Sequence, residues 1–183
     1  SHEMTHYAQE AQNPDVKFEI AELEAFKNEI YFWTVAPKWF KSKLAKISWT
    51  FSSFLAESFE NGLFTKEVFN SKKRNILLHT HCHEKALGNP DKTLQALSIP
   101  MGHQVQHVNS ACCGMAGSYG YEKENYSMSK KMAQLSLIPA IDDKTDDWTI
   151  AAQGISCMHQ IEDLSQRTPL HPVEIFYQAL SDQ

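Results

Sequence analysis

The chain has 183 residues, 22 of them acidic and 17 basic, for a formal net charge of -5. That length can bury a sizeable core in one domain, with or without an arm, and the charge lacks the basic footprint of a nucleic-acid binder. No run approaches the roughly 18 consecutive apolar residues of a membrane span, and no secretory signal is read at the start, so a cytoplasmic protein is expected. Four cysteines in a reducing compartment point to metal binding or catalysis before disulfides.

Residues 1–14, opening on Ser1-His2-Glu3-Met4, read as a tag or disordered leader. Residues 15–70 read as a helical arm: a short strand over 15–20, a helix over 21–32, a break at Pro37, and a longer helix over 38–58 that Asn61-Gly62 ends. Within the arm Trp33, Trp39, Phe40, Trp49, Phe51, Phe54, Phe59 and Phe64 recur at roughly helical spacing. A stripe that wide packs either on the rest of the chain or on a partner, a second copy included.

From residue 71 the pattern becomes α/β. Short apolar runs predict strands over 75–79, 105–108 and 148–152. Helices are predicted between them over 91–97 and 121–135, and a last one over 172–180, which Pro172 suits as a first-turn residue. Strands separated by helices imply a parallel sheet. Each cysteine cluster then follows a strand: Cys82 after the first, Cys112-Cys113 after the second, Cys157 after the third. The carboxyl ends of parallel strands share one edge, where ligands bind, so the three clusters are expected to converge.

Thiolates select zinc or iron–sulfur centres, and four suffice for either. Adjacent Cys112-Cys113 does not match the paired spacing of structural zinc sites, and neither Cys82 nor Cys157 has the second half of a C-x-x-C knuckle. Adjacent cysteines at the mouth of a helix, with Gly114, Gly117 and Gly120 nearby, suit a larger object such as a cluster. Three other readings stand beside that one: four unrelated buried thiols, a dithiol or vicinal disulfide at Cys112-Cys113, and plain hydrogen-bonded roles for the histidines. On an extended chain His81 and His83 lie opposite Cys82, so the cysteine or the histidines face one site. Tyr121-Glu122-Lys123-Glu124 reads as a capped, solvated helix start, with a substrate or partner contact as the alternative.

His81-Cys82-His83-Glu84-Lys85-Ala86-Leu87, the run from Cys112-Cys113-Gly114 to Glu124, Gly154-Ile155-Ser156-Cys157 with His159-Gln160-Ile161, and Leu170-His171-Pro172-Val173-Glu174 together resemble the C-terminal cysteine-rich (CCG) domain of large FAD-linked oxidases. Those are the D-lactate, glycolate and 2-hydroxyglutarate dehydrogenase type. The same domain occurs in the iron–sulfur subunit of glycolate oxidase and in heterodisulfide reductase. The match spans roughly residues 72 to 181. It implies an iron–sulfur cluster, or zinc in its place, on Cys82, Cys112, Cys113 and Cys157, with His81, His83, Gly114, Ser156 and His159 around those ligands. Two departures stand out: Gly154 occupies the position where the family often has a further cysteine, and Met158 follows the last thiol where the oxidases carry arginine.

The resemblance also implies electron transfer from a flavin-linked 2-hydroxy-acid dehydrogenase, with flavin and ferredoxin-like domains or subunits as partners. No flavin-binding segment and no ferredoxin cysteine run is present, so the chain reads as a non-catalytic fragment or subunit. A zinc-binding or metal-free interaction module and a thiol–disulfide enzyme are the alternatives. The expected fold is α/β: a small parallel, Rossmann-like sheet flanked by helices over 71–183, preceded by the helical arm, itself a remnant of a preceding CCG half.

Overall fold

In the computed structural model, residues 48–87, 89–110 and 112–181 are described, with Lys38 and Lys43. The expected leader, the strand over 15–20, the helix over 21–32 and most of residues 38–47 lie outside the described residues. From Trp49 onward the chain forms one compact unit.

Among the described residues the sheet has three strands, β1 (Arg74–His79), β2 (His103–His107) and β3 (Trp148–Ala152), in the order β2-β1-β3. All pairing is parallel, as predicted: Ile76 stands opposite Val105 on one side and Thr149 on the other. Parallel neighbours need crossovers. A first helix, α1 (Phe51–Glu60), precedes the sheet, and α2 (Cys82–Leu87) and α3 (Pro90–Leu97) make the crossover from β1 to β2. The second crossover carries α4 (Tyr126–Gln134) and α5 (Leu137–Asp142), while α6 (Ile155–Ser165) and α7 (Pro172–Ala179) follow β3.

Side chains alternate across a strand, so β1 feeds two cores. Leu77 joins Ile150 and Ala152 against Ala133, Leu137, Ile138, Ile141 and Ile161 of α4, α5 and α6. Ile76 and Leu78 join Ala151 against Ala56, Ala96, Leu97, Ile175 and Phe176 of α1, α3 and α7. The result is helices on both faces of the sheet. Outside the ladders, a parallel bridge of Ala151 to Leu170 covers the outer side of β3, and an antiparallel bridge joins Phe69 to Leu180. β2, on the other flank, is polar and mostly exposed. Among the described residues no helix is long and apolar enough to cross a membrane.

Helix boundaries follow local chemistry. The helix predicted over 38–58 is not continuous through its described part: residues 48–50 are non-helical, and Thr50 caps α1, its Oγ1 accepting from the Ser53 N–H at 3.2 Å. Asn89 caps α3 in the same way, its side-chain oxygen 3.0 Å from Asp91 N, and Pro90 takes the first position. The expected helix over 121–135 starts later, at Tyr126, because residues 119–121 form a 3-10 turn. His171 caps α7: its Nδ1 accepts from Val173 N–H and its own N–H donates to Glu174 Oε2 at 2.7 Å, a capping box built on an imidazole.

Burial holds His103, His107 and His171 below the ordinary histidine value of 6.5. The unfolded chain therefore takes up protons that the folded chain resists, and stability declines as pH falls from 6.5 through the depressed folded values. Urea unfolding followed by circular dichroism between pH 7.5 and 5 is expected to show the midpoint falling with acid. His171→Asn, which caps without titrating, is expected to reduce that fall.

Candidate metal centre at the carboxyl edge of the sheet

Cys82 lies three residues past β1, Cys112 five past β2 and Cys157 five past β3. Two local expectations are corrected. Cys82 is not on extended chain but opens α2, so its neighbours follow helical spacing. Cys112-Cys113 is not at a helix mouth either; it sits in a loop, and Cys157, in the first turn of α6, has the helix-start position instead.

The loop is held by backbone fit. Gly114 has φ +95°, and a Cβ there would lie 2.2 Å from the Ser129 carbonyl oxygen of α4, so any side chain would drive the loop off that helix. Gln160, buried in α6, reaches across the same seam. Its amide nitrogen is 3.1 Å from the Cys113 carbonyl oxygen, 3.2 Å from the Ser129 carbonyl oxygen and 3.0 Å from Ser129 Oγ. One side chain thus fixes Cys113 to both α4 and α6.

Cys113 and Cys157 are 2% and 1% exposed, and His79, ending β1, is 1% exposed. A ring nitrogen of His79 and the two sulfurs all lie within 4.8 Å of one another. The Cys157 thiol hydrogen-bonds to Cys113, which holds the Cys113 thiol well below the usual cysteine range and pushes Cys157 up. Cys82 and Cys112 are half-buried. Burial, then the charges at Cys112 and Cys113, raise the Cys82 thiol. The Gly114 N–H donates to Cys112 Sγ at 3.3 Å. Lys85, three residues into α2, donates to the Ser110 carbonyl oxygen; burial lowers its ammonium while all four cysteines favour its charge.

The residues expected around the cysteines divide. The His81 ring packs on Gly154: a Cβ at Gly154 would meet its Cδ2 at 2.4 Å and Cys157 Sγ at 3.3 Å. An imidazole thus fills the room where the resemblance would put a further cysteine. Burial lowers the His81 ring, with Cys113 acting in the opposite direction. His83 is exposed and stands edge-on to His81, the centroids 4.9 Å apart. Ser156 is half-buried in the first turn of α6. His159 is exposed, its Nδ1 2.7 Å from the hydroxyl of Tyr121, and burial followed by the charges at Cys113 and Cys157 raises that phenol. Sequence reasoning assigned no role to His79, Gln160, Lys85 or Ser110. A histidine ending a buried apolar strand, two residues on from Leu77, carried a usable signal, because alternation puts it on Leu77's face.

Gln160→Leu keeps the volume but leaves the Cys113 loop without its tie. Chemical denaturation is expected to register a loss of about 1–3 kcal/mol, the range for stranding a buried polar partner.

Compared with protein-family models, the chain matches none, and no solved structure matches it significantly. It is 32% identical over 106 residues to a subunit of the anaerobic glycerol-3-phosphate dehydrogenase of Escherichia coli K12, covering 58% of this chain and 26% of that protein. D-2-hydroxyglutarate dehydrogenase of Pantoea ananatis is 31% identical over 119 residues, 64% of this chain and 12% of that one. The corresponding protein of Pseudomonas putida is 31% identical over 103 residues, 55% and 10%. The chain thus spans between a tenth and about a quarter of the length of these relatives. The resemblance drawn from the cysteine motifs is borne out: over more than half its length the chain is homologous to a dehydrogenase subunit and to D-2-hydroxyglutarate dehydrogenases, consistent with a CCG-type domain of FAD-linked oxidases.

Proposed function

We propose that the chain is a cytoplasmic, metal-bearing accessory domain that relays electrons for a larger flavin-linked dehydrogenase. Its centre is held by Cys82, Cys112, Cys113 and Cys157. The observation that carries this is the buried cluster of Cys113, Cys157 and His79, whose two sulfurs and one ring nitrogen lie within 4.8 Å of one another, with His79 Nε2 making no hydrogen bond of ordinary geometry. Two thiols and an imidazole nitrogen gathered in a buried pocket make an unusual packing choice for a purely structural core, whereas soft sulfur and imidazole donors fit a first-row metal or iron–sulfur centre. Such a centre supplies one-electron exchange when bound.

The chain's own groups prepare the place. The hydrogen bond from Cys157 and the neighbouring His79 favour the thiolate at Cys113, the form a ligand needs. The Gly114 N–H and the Lys85 ammonium offset thiolate charge. Apolar Met115, Ile150 and Ile161 in the same core exclude water. A zinc-bearing structural module is the second reading, favoured by one observation: three donors within 4.8 Å suit a single ion. For the parent oxidase as partner, the support is homology to parts of longer dehydrogenases. The half-exposed Trp49, Phe51 and Phe54 offer apolar surface to a neighbouring domain or to a second copy.

Anaerobically purified protein reconstituted with ferrous iron and sulfide is expected to retain both, to bleach on reduction, and to lose them in Cys113→Ser, since oxygen replaces thiolate poorly on soft metals. Stoichiometric zinc with no iron retained after reconstitution would replace the electron-transfer reading with the structural one.

A further inference from the structure

Among the described residues Glu84, Gln153 and His79 each leave one buried polar atom without a partner at this edge, and of the three only His79 is itself fully buried and stands beside the thiols. Its Nδ1 lies 3.0 Å from Ser110 Oγ, while its Nε2 is buried without a partner. Ligating histidines have this arrangement: one ring nitrogen is tied by an outer hydrogen bond that fixes the tautomer and ring plane, and the other presents its lone pair to the metal. Alternation from Leu77 turns the ring toward the face that holds Cys113 and Cys157. The spacing is near what one ion requires. With metal–sulfur bonds of about 2.3 Å and metal–nitrogen bonds of about 2.0–2.1 Å, two donors on one ion stand no more than about 4.6 Å apart; these three donors lie within 4.8 Å of one another, so small side-chain adjustments bring them onto one ion. Sulfurs bound to separate irons of a cluster are held farther apart by the core between them.

We infer that His79 Nε2 is a metal ligand, sharing one first-row ion with the Cys113 and Cys157 thiolates, so that the centre is a mixed imidazole–thiolate site rather than an all-thiolate one. Ser110 is its positioning residue, accepting from Nδ1–H. Cys82 and Cys112, half-buried and outside that three-donor group, would supply the remaining coordination. A neutral imidazole in place of a thiolate removes one negative charge from the ion's surroundings. On an iron centre this substitution raises the reduction potential. The inference rests on the metal-site reading above and adds a ligand that the cysteine motifs do not contain.

Cobalt(II) added anaerobically to the reduced full chain tests it. Expected are thiolate-to-cobalt charge-transfer absorption and a far-downfield exchangeable proton resonance, the Nδ1–H of a cobalt-bound imidazole, which disappears in deuterium oxide. His79→Ala is expected to abolish that resonance and weaken cobalt binding at least about tenfold, as loss of even an outer partner does. His79→Gln, which keeps polarity and much of the volume, serves as second variant should alanine unfold the edge. His81→Ala and His83→Ala are expected to retain the resonance, and Ser110→Ala to speed its exchange with solvent. Charge transfer that Cys113→Ser removes, with the resonance absent or surviving in both His79 variants, overturns the His79 ligand and leaves the cysteine site standing. No charge transfer in the unaltered chain overturns the metal-site reading and this inference with it.

Discussion

The two parallel hydrogen-bonded ladders of β1 are the constraint on which the cysteine edge depends. Because β2 and β3 both run in the direction of β1, the loops that follow all three strands emerge on the same side. An antiparallel β2 would send Cys112-Cys113 to the opposite edge, about 17–20 Å away for a strand of ordinary length. The central position of β1 matters as much as its direction. Its last residue, His79, has neighbours' ends on both flanks, which is how a strand-terminal imidazole comes to stand between a thiol delivered after one neighbouring strand and a thiol delivered after the other.

Placing thiols together in an apolar setting raises an electrostatic difficulty, since negative charges removed from water repel more strongly at low dielectric. Three features ease it. The Cys157 hydrogen bond favours charge on Cys113 and disfavours it on Cys157, a backbone N–H faces Cys112, and the Lys85 ammonium lies where all four sulfurs favour its charge. Thiols must lose their protons to bind a cation, so occupancy should depend on pH in the sense common to thiolate sites, tighter as protons become scarce. Gln160 and Gly114 supply the rigidity that keeps these distances from relaxing.

Much of this was legible in the sequence, and the limits have physical causes. The strands were readable because Ile76-Leu77-Leu78 and Trp148–Ala152 are compact apolar runs bounded by polar residues, as buried parallel strands are. That Cys113 and Cys157 meet, though they follow different strands, was expected from topology alone. The helices α2, α5 and α6 were missed; six residues give α2 and α5 less than two turns of periodicity to detect, whereas α6, at eleven residues, was passed over as a cysteine motif. The omission of α2 changed the reading of Cys82, whose neighbours were assigned to opposite sides of an extended chain. His79 escaped notice for another reason: it reads as the end of an apolar strand. Alternation could have put it on Leu77's face, but its unpaired nitrogen is something no sequence pattern displays. Gln160 is similar, a polar residue inside an amphipathic helix whose three contacts come from α4 and the Cys113 loop.

The two flanks of the sheet are finished differently. Leu170 hydrogen-bonds to Ile150 and Ala152 and so closes the outer side of β3, while β2 carries His103-Gln104-Val105-Gln106-His107 and is mostly exposed. Edge strands of sheets template the addition of foreign strands, the first step toward ordered aggregates. A strand with one aliphatic side chain in five presents little apolar surface to cement such an addition. Protonation of its two terminal histidines would add like charges that repel an identical strand from another molecule. The polar character of β2 is therefore a guard on solubility for a three-stranded sheet too small to close on itself.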